Sequence, residues 1–242
     1  MHLFLPMGDY YVLAWADYCY KDKQKPVFYK ADTLSNVKND IKNYPANTHH
    51  RSSSAGQEFF AIDYNLGPEG YPVLQANRDS LIQSRIIPII MNRPSARYRV
   101  IASDFAEFTR DGGTLEGVVV KVVYKQYVTV GYNVATCEPN LFISTYSFNT
   151  SLTQEVFDQD DHISILGDYL FTSPDKEDVI IADFYFYDSS GNEFNHCKNI
   201  EIPLKQDHET IIRGCFLTNK VEKDSNISID ENFEGEYIVE LN

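Results

Sequence analysis

The chain has 242 residues, and 35 acidic against 21 basic side chains give it a formal net charge of −14. That balance argues against a nucleic-acid surface, which needs clustered Lys and Arg to neutralise phosphate, and against an anionic membrane surface as partner. Hydrophobic content of 43% and charged content of 23% belong to a globular protein, and 17 Tyr with 15 Phe favour strands over helices.

The first residues, Met1-His2-Leu3-Phe4-Leu5-Pro6, lack the basic n-region and unbroken apolar run of a signal peptide, and no stretch approaches the ~18 apolar residues of a membrane span. They read as a strand and a turn leading into a second strand over 10–15, so the chain is expected to begin inside a folded unit whose first strand is missing. Leu34, Val37 and Ile41 fall at helical spacing behind the capping residues Asp32 and Thr33, which predicts a helix over 31–44. A polar loop is expected over 47–56 and a short strand over 59–64. Residues 84–91 are β-rich but contain Pro88, as an edge or bulged strand does.

A second set of elements follows Asn92-Arg93-Pro94. Arg97 and Arg99 alternate with Tyr98 and Val100 in a half-exposed strand over 97–103. One helical turn over 104–109, closed by Gly112-Gly113, precedes a long β-rich run over 115–130. Strands are predicted over 141–148, 163–171 and 179–187. Asp188-Ser189-Ser190-Gly191-Asn192 then turns the chain into a strand over 193–204, a hairpin signature. Strands over 210–217, 226–230 and 237–241 close the list. About a dozen short strands with one clear helix read as an antiparallel β-sandwich protein, divided near Pro94 into residues 1–92 and 93–242. No alternating βαβ rhythm supports a doubly wound sheet.

The acidity is localised. Residues 1–150 carry 15 basic and 14 acidic groups, residues 151–242 carry 6 and 21. The second domain is therefore the acidic one, with a solvated acidic surface as the simplest reading. Cys19, Cys137, Cys197 and Cys215 form no CxxC and no zinc knuckle. Cys197 and Cys215 lie on consecutive predicted strands and have the option of facing each other, but four thiols acting as small hydrophobes is the favoured reading.

The search for chemistry yields no catalytic, cofactor-binding or metal-binding residue. No phosphate loop, dinucleotide fingerprint, zinc-protease helix or nucleophile elbow occurs. Asp158-Gln159-Asp160-Asp161-His162 begins like a calcium loop, yet Ile163 and Tyr169 stand where the EF-hand needs Gly and Glu. His49-His50-Arg51 and the serines after it lie in a loop that nothing orders. Paired carboxylates for glycoside hydrolysis come together only in space, so a count of acids does not reveal them. Tyr10, Tyr11, Trp15, Tyr18 and Tyr20 would stack on sugars where exposed, but alternation along a strand buries about half of such a set.

The C-terminal motifs Ile202-Pro203-Leu204-Lys205, His208-Glu209-Thr210, Arg213-Gly214-Cys215-Phe216-Leu217-Thr218, Ile229-Asp230 and Phe233-Glu234-Gly235 resemble the closing strands of fimbrillin-like proteins of Bacteroides and its relatives. Arg93-Pro94-Ser95-Ala96-Arg97-Tyr98 resembles the first strand of that family's second domain. His2 to Tyr11, with Trp15-Ala16-Asp17, resembles a hairpin of its first. The resemblance implies two transthyretin-like Greek-key β-sandwich domains in series, and the helix read from the residues over 31–44 would be the one short helix of the first. It implies a non-enzymatic fimbrial or surface-lipoprotein subunit at the cell surface and outer membrane, joined to other pilus subunits or to itself by donor-strand exchange. Membrane attachment would be through a lipid anchor that this sequence does not contain. Gln206-Asp207 departs from the family's basic-polar pair at that turn. A carbohydrate- or host-ligand-binding β-sandwich is the alternative, and a β-sandwich hydrolase the third reading.

Overall fold

The computed structural model describes residues 8–17, 29–39, 53–62, 88–152, 155–156, 163–174, 176–218, 228–230 and 236–240. Strands dominate. In chain order they are β1 (Gly8–Asp17), β2 (Tyr29–Lys30), β3 (Val37–Asn39), β4 (Ser53–Ile62), β5 (Ser95–Ala102), β6 (Val119–Tyr124), β7 (Val128–Asn133), β8 (Glu138–Ile143), β9 (Ser147–Ser151), β10 (Glu155–Val156), β11 (Ile163–Phe171), β12 (Asp178–Tyr187), β13 (Glu193–Leu204), β14 (Glu209–Gly214), β15 (Ser228–Asp230) and β16 (Glu236–Glu240). The helix among the described residues is α1 (Phe105–Arg110).

The main core lies between two sheets, β10-β11-β5-β14-β16-β15 and β13-β12-β6-β9. Alternation explains it. Ala96, Tyr98, Val100 and Ala102 of β5 point inward, as do Val120, Val122 and Tyr124 of β6 and Ile180, Ala182, Phe184 and Phe186 of β12. β14 runs parallel to both β5 and β16, while the other pairings are antiparallel. On the outer side of the β5–β14 pair, Arg99 grips Glu209 with two parallel bonds, Nε to Oε1 at 2.9 Å and Nη2 to Oε2 at 2.8 Å.

β13 changes phase between Cys197 and Ile200. Asn195 and Cys197 face inward, then Ile200, Ile202 and Leu204 do, so one extra residue separates the two sets. A β-bulge absorbs it: Ala182 pairs with Ile200 while Phe184 pairs with Cys197, and Asn199 takes φ +58. Without the bulge Asn199, Glu201 and Pro203 would be driven into the core. Asp183 fastens it, its Oδ1 accepting the Asn199 N–H at 2.8 Å and its Oδ2 accepting Lys125 Nζ at 3.1 Å and the Tyr185 hydroxyl at 3.1 Å. Burial opposes ionisation of Asp183, but the Asn199 N–H, the Lys125 ammonium and the Tyr185 hydroxyl together outweigh it and hold the carboxyl below its ordinary value. Asp183→Ala is expected to cost about 2–3 kcal/mol in urea unfolding at neutral pH, because it leaves the Asn199 N–H unsatisfied. A loss below about 0.5 kcal/mol would show that water serves the bulge equally well. A lowered carboxyl pKa stabilises at pH above the unfolded value, so this contribution fades as pH falls through the folded one.

A second, smaller core joins the earlier part of the chain to the later part. β2 and β3 complete a sheet with β7 and β8, and β1 forms a two-stranded antiparallel ribbon with β4. Tyr29, Val37, Ala55, Tyr132, Val134 and Phe171 are buried there, with Leu13, Trp15 and Leu34 packed on them.

Most predicted strands are present, and several expectations need correction. The helix predicted over 31–44 is absent across its described part: residues 31–36 are turn and irregular backbone, and Val37–Asn39 is strand β3. The short helix instead follows β5, where one helical turn was expected. Residues 53–56 are not loop but the start of β4, which pairs through Ala55 with Trp15. Finally, the run over 115–130 divides into β6 and β7, and the strand predicted over 141–148 divides into the end of β8 and the start of β9, with Thr145 at φ +53 in the break.

Candidate functional site

The residues weighed for chemistry do not assemble. The acidic stretch 158–162 and residues 49–52 of the basic-serine stretch lie outside the described residues, while its last two serines, Ser53 and Ser54, begin β4. Of the aromatic set, Tyr18 and Tyr20 also lie outside. Trp15 enters the small core, its ring 5.3 Å from Tyr29 and 6.2 Å from Phe171. Tyr11 points to solvent at 71% exposure. Among the described residues no three His, Cys, Asp or Glu side chains gather to hold a metal, and no helix is long and apolar enough to cross a membrane.

Three described carboxyl groups are buried, Asp104, Asp168 and Asp183, and each is engaged in holding the fold. Asp104 Oδ2 accepts the backbone N–H groups of Leu217 at 2.9 Å and Thr218 at 2.7 Å and the Thr218 hydroxyl at 2.8 Å, tying the chain after β14 to the start of α1. Asp168 accepts the Tyr124 hydroxyl at 2.6 Å and the Tyr169 N–H at 2.7 Å. They stand on separate elements, and none lines the surface cleft over β6, β9 and β12.

Cys137, Cys197 and Cys215 are thiols rather than disulfides, and Cys19 lies outside the described residues. Burial, then the charge of Asp104 and the neighbouring Cys215, push the Cys197 thiol up to about 12. At pH 8 it is therefore expected to resist a disulfide reagent in the folded protein and to react on denaturation; modification without unfolding would contradict its burial. A thiol pKa raised on folding stabilises below the unfolded value of 9.0, and that contribution declines as pH rises from there toward 12.

Two surface features remain. The first is the face of the β1–β4 ribbon that carries Trp15, Leu13 and Tyr11 in succession. Its inner end is the small core, while its outer end is bare: Tyr11 sits directly across from Phe59, ring centroids 5.0 Å apart, at 71% and 50% exposure.

The second feature is a shallow cleft of about 390 Å³ on the outer face of the β13-β12-β6-β9 sheet, lined by Gly117, Val119, Lys121, Asn149, Tyr187 and the Asp188–Gly191 turn. Sheet register builds it. Val119 pairs with Tyr187 and Lys121 with Asn149, so two cross-strand pairs project side by side. Asp188 sets the turn at its end, accepting Ser190 N and Asn192 N, each at 2.8 Å, and the Asn192 side-chain amide. The Asn192 N–H and side chain, with the turn's other N–H groups, hold this carboxyl below its ordinary value. Gly117, at φ +74, lets the turn close in: a Cβ there would stand 2.7 Å from Ser189 Cβ. The hairpin turn and its strands were legible in the sequence, but the pairing of β6 with both β9 and β12 was not.

Together these features define an all-β protein with a bare aromatic ribbon and a polar surface cleft. The chain belongs to a family of unknown function, DUF6562, whose model matches residues 1–242. No curated protein matches it. Among solved structures it is similar to a provisionally assigned adhesin of Bacteroides thetaiotaomicron, with 10% identity over 82% of this chain and 62% of that one, TM-score 0.39. It is also similar to two provisionally assigned adhesins of Bacteroides ovatus. One shares 12% identity over 80% of this chain and 57% of that one, TM-score 0.41. The other shares 10% identity over 82% and 65%, TM-score 0.37. The chain thus spans less than two thirds of each of these structures.

Proposed function

We propose that this protein is a non-enzymatic structural and adhesive subunit of the cell surface, assembling with other pilus subunits or with itself by strand exchange. The sequence resemblance to fimbrillin-like proteins suggests that role, and outer-membrane placement through a lipid anchor goes with it. The observation that carries the reading is the uncovered end of the β1–β4 ribbon. A face continuous with a packed core, ending in an exposed Tyr11–Phe59 pair, is where an added apolar strand gains both burial and backbone pairing.

The test is made in the source cells with the protein as they express it. Protease added to intact cells is expected to cleave it, and unboiled extracts to run as a detergent-resistant ladder that Tyr11→Asp with Phe59→Asp abolishes. Protection from external protease, or a monomer in every extract, would overturn the reading.

A further inference from the structure

We propose that the cleft over β6, β9 and β12 binds a neutral saccharide through Lys121, Asn149, Tyr187 and Ser189. The inference deepens the adhesive reading by giving it a ligand class and a site, and rests on that reading for its biological meaning.

The chemistry of the lining selects the ligand. Lys121, Asn149, Tyr187 and Ser189 make no side-chain hydrogen bond or ion pair among the described residues, whereas the acid beside them, Asp188, accepts three hydrogen bonds from its own turn. Four unspent groups therefore converge on one space. Lys121 brings three donors, the Asn149 amide brings donors and an acceptor, and the two hydroxyls do both. That mixture matches a ring carrying several hydroxyls, each of which donates and accepts. Tyr187 and Val119 add the apolar surface on which the C–H face of a pyranose rests. The volume suits one or two sugar rings and lies within the ordinary range of ligand sites.

Other ligand classes fit less well. An apolar ligand would offer these four polar groups no partner in exchange for the water it displaces. A polyanion would meet a single lysine, Lys121, with the Asp188 carboxylate in the same lining to repel it. A neutral saccharide meets neither obstacle. The groups are solvated when the cleft is empty, so each bond exchanges water for ligand with modest net gain. Dissociation constants of about 0.1–10 mM follow.

Saturation-transfer NMR on the whole chain with glucose, galactose, mannose, N-acetylglucosamine and glucuronate, each at millimolar concentration, tests this. Transfer to at least one neutral sugar is expected, weakened about tenfold or more in Asn149→Ala and in Tyr187→Ala. Asn149 is exposed, so its variant keeps the fold even if the half-buried Tyr187 variant does not. No transfer to any neutral sugar overturns the assignment, as does transfer only to glucuronate or transfer that persists in Asn149→Ala. Failure here alongside a surface-exposed, ladder-forming protein removes the cleft and leaves the adhesive reading standing. Sugar binding by a protein shielded inside the cell would do the reverse.

Discussion

Asp168→Ala is expected to remove about 3–4 kcal/mol of unfolding free energy, the larger share of it from donors left without an acceptor in the core. Asp168 projects from β11 across the sandwich at 1% exposure. One carboxyl oxygen takes the Tyr124 hydroxyl from the opposite sheet, and that hydroxyl is in turn 2.7 Å from the Tyr98 hydroxyl. The other oxygen takes the Tyr169 N–H. The two sheets thus meet through a polar chain inside an otherwise apolar layer, where a missing partner is costly because water cannot replace it. The cost should grade along the chain: Tyr124→Phe about 2 kcal/mol, since it removes the donor on which Asp168 relies, and Tyr98→Phe about 1 kcal/mol, since the carboxyl keeps Tyr124. Urea midpoints with unchanged slopes read this directly, and for a chain of this size Asp168→Ala corresponds to a melting point roughly 10 °C lower. Equal losses below about 1 kcal/mol from all three variants would mean that the hydroxyl chain carries no cooperative weight.

This network also marks the limit of what the sequence discloses. Strands were legible because period-two alternation is local: Arg97 and Arg99 alternate with Tyr98 and Val100, whereas the run over 115–130 gave Tyr124 no inward face and the bulge between Cys197 and Ile200 in β13 was not anticipated. The expected helix over 31–44 failed for the complementary reason. Leu34, Val37 and Ile41 fit a helical stripe, but Thr33, Asn36, Val37 and Asn39 are weak helix formers. Partners far along the chain then decide the outcome. Val37 pairs with Tyr132 in β7, and the Leu34 carbonyl accepts the Val134 N–H at 2.8 Å. Likewise Ser53 to Gly56 look like loop, yet Ala55 lies opposite Trp15, and a Cβ on Gly56 would stand 2.3 Å from the Ile90 carbonyl oxygen. The cleft is less legible still. Lys121, Asn149 and Tyr187 sit on β6, β9 and β12, neighbours only because β6 pairs with both others, and no local pattern announces that pairing.

The same dependence on distant partners makes Phe171 the residue on which the docking of the β1–β4 ribbon turns. It ends β11 facing away from the main core, and its ring lies 6.2 Å from Trp15, 5.8 Å from Tyr29 and 5.4 Å from Tyr132, so it touches every other aromatic ring of the small core. Phe171→Ala should cost about 3–5 kcal/mol, combining lost burial, a cavity and three ring contacts of about 0.5–1.5 kcal/mol each. Trp15 is the chain's one tryptophan, so its fluorescence reports this core alone. In the variant its emission should shift to the red and its urea transition should fall well below that followed by far-UV circular dichroism, because the sandwich keeps the Tyr98–Tyr124–Asp168 chain while the ribbon loses its seat. Unchanged Trp15 emission, or two transitions that stay coincident, would show that the ribbon is held by something other than this aromatic cluster.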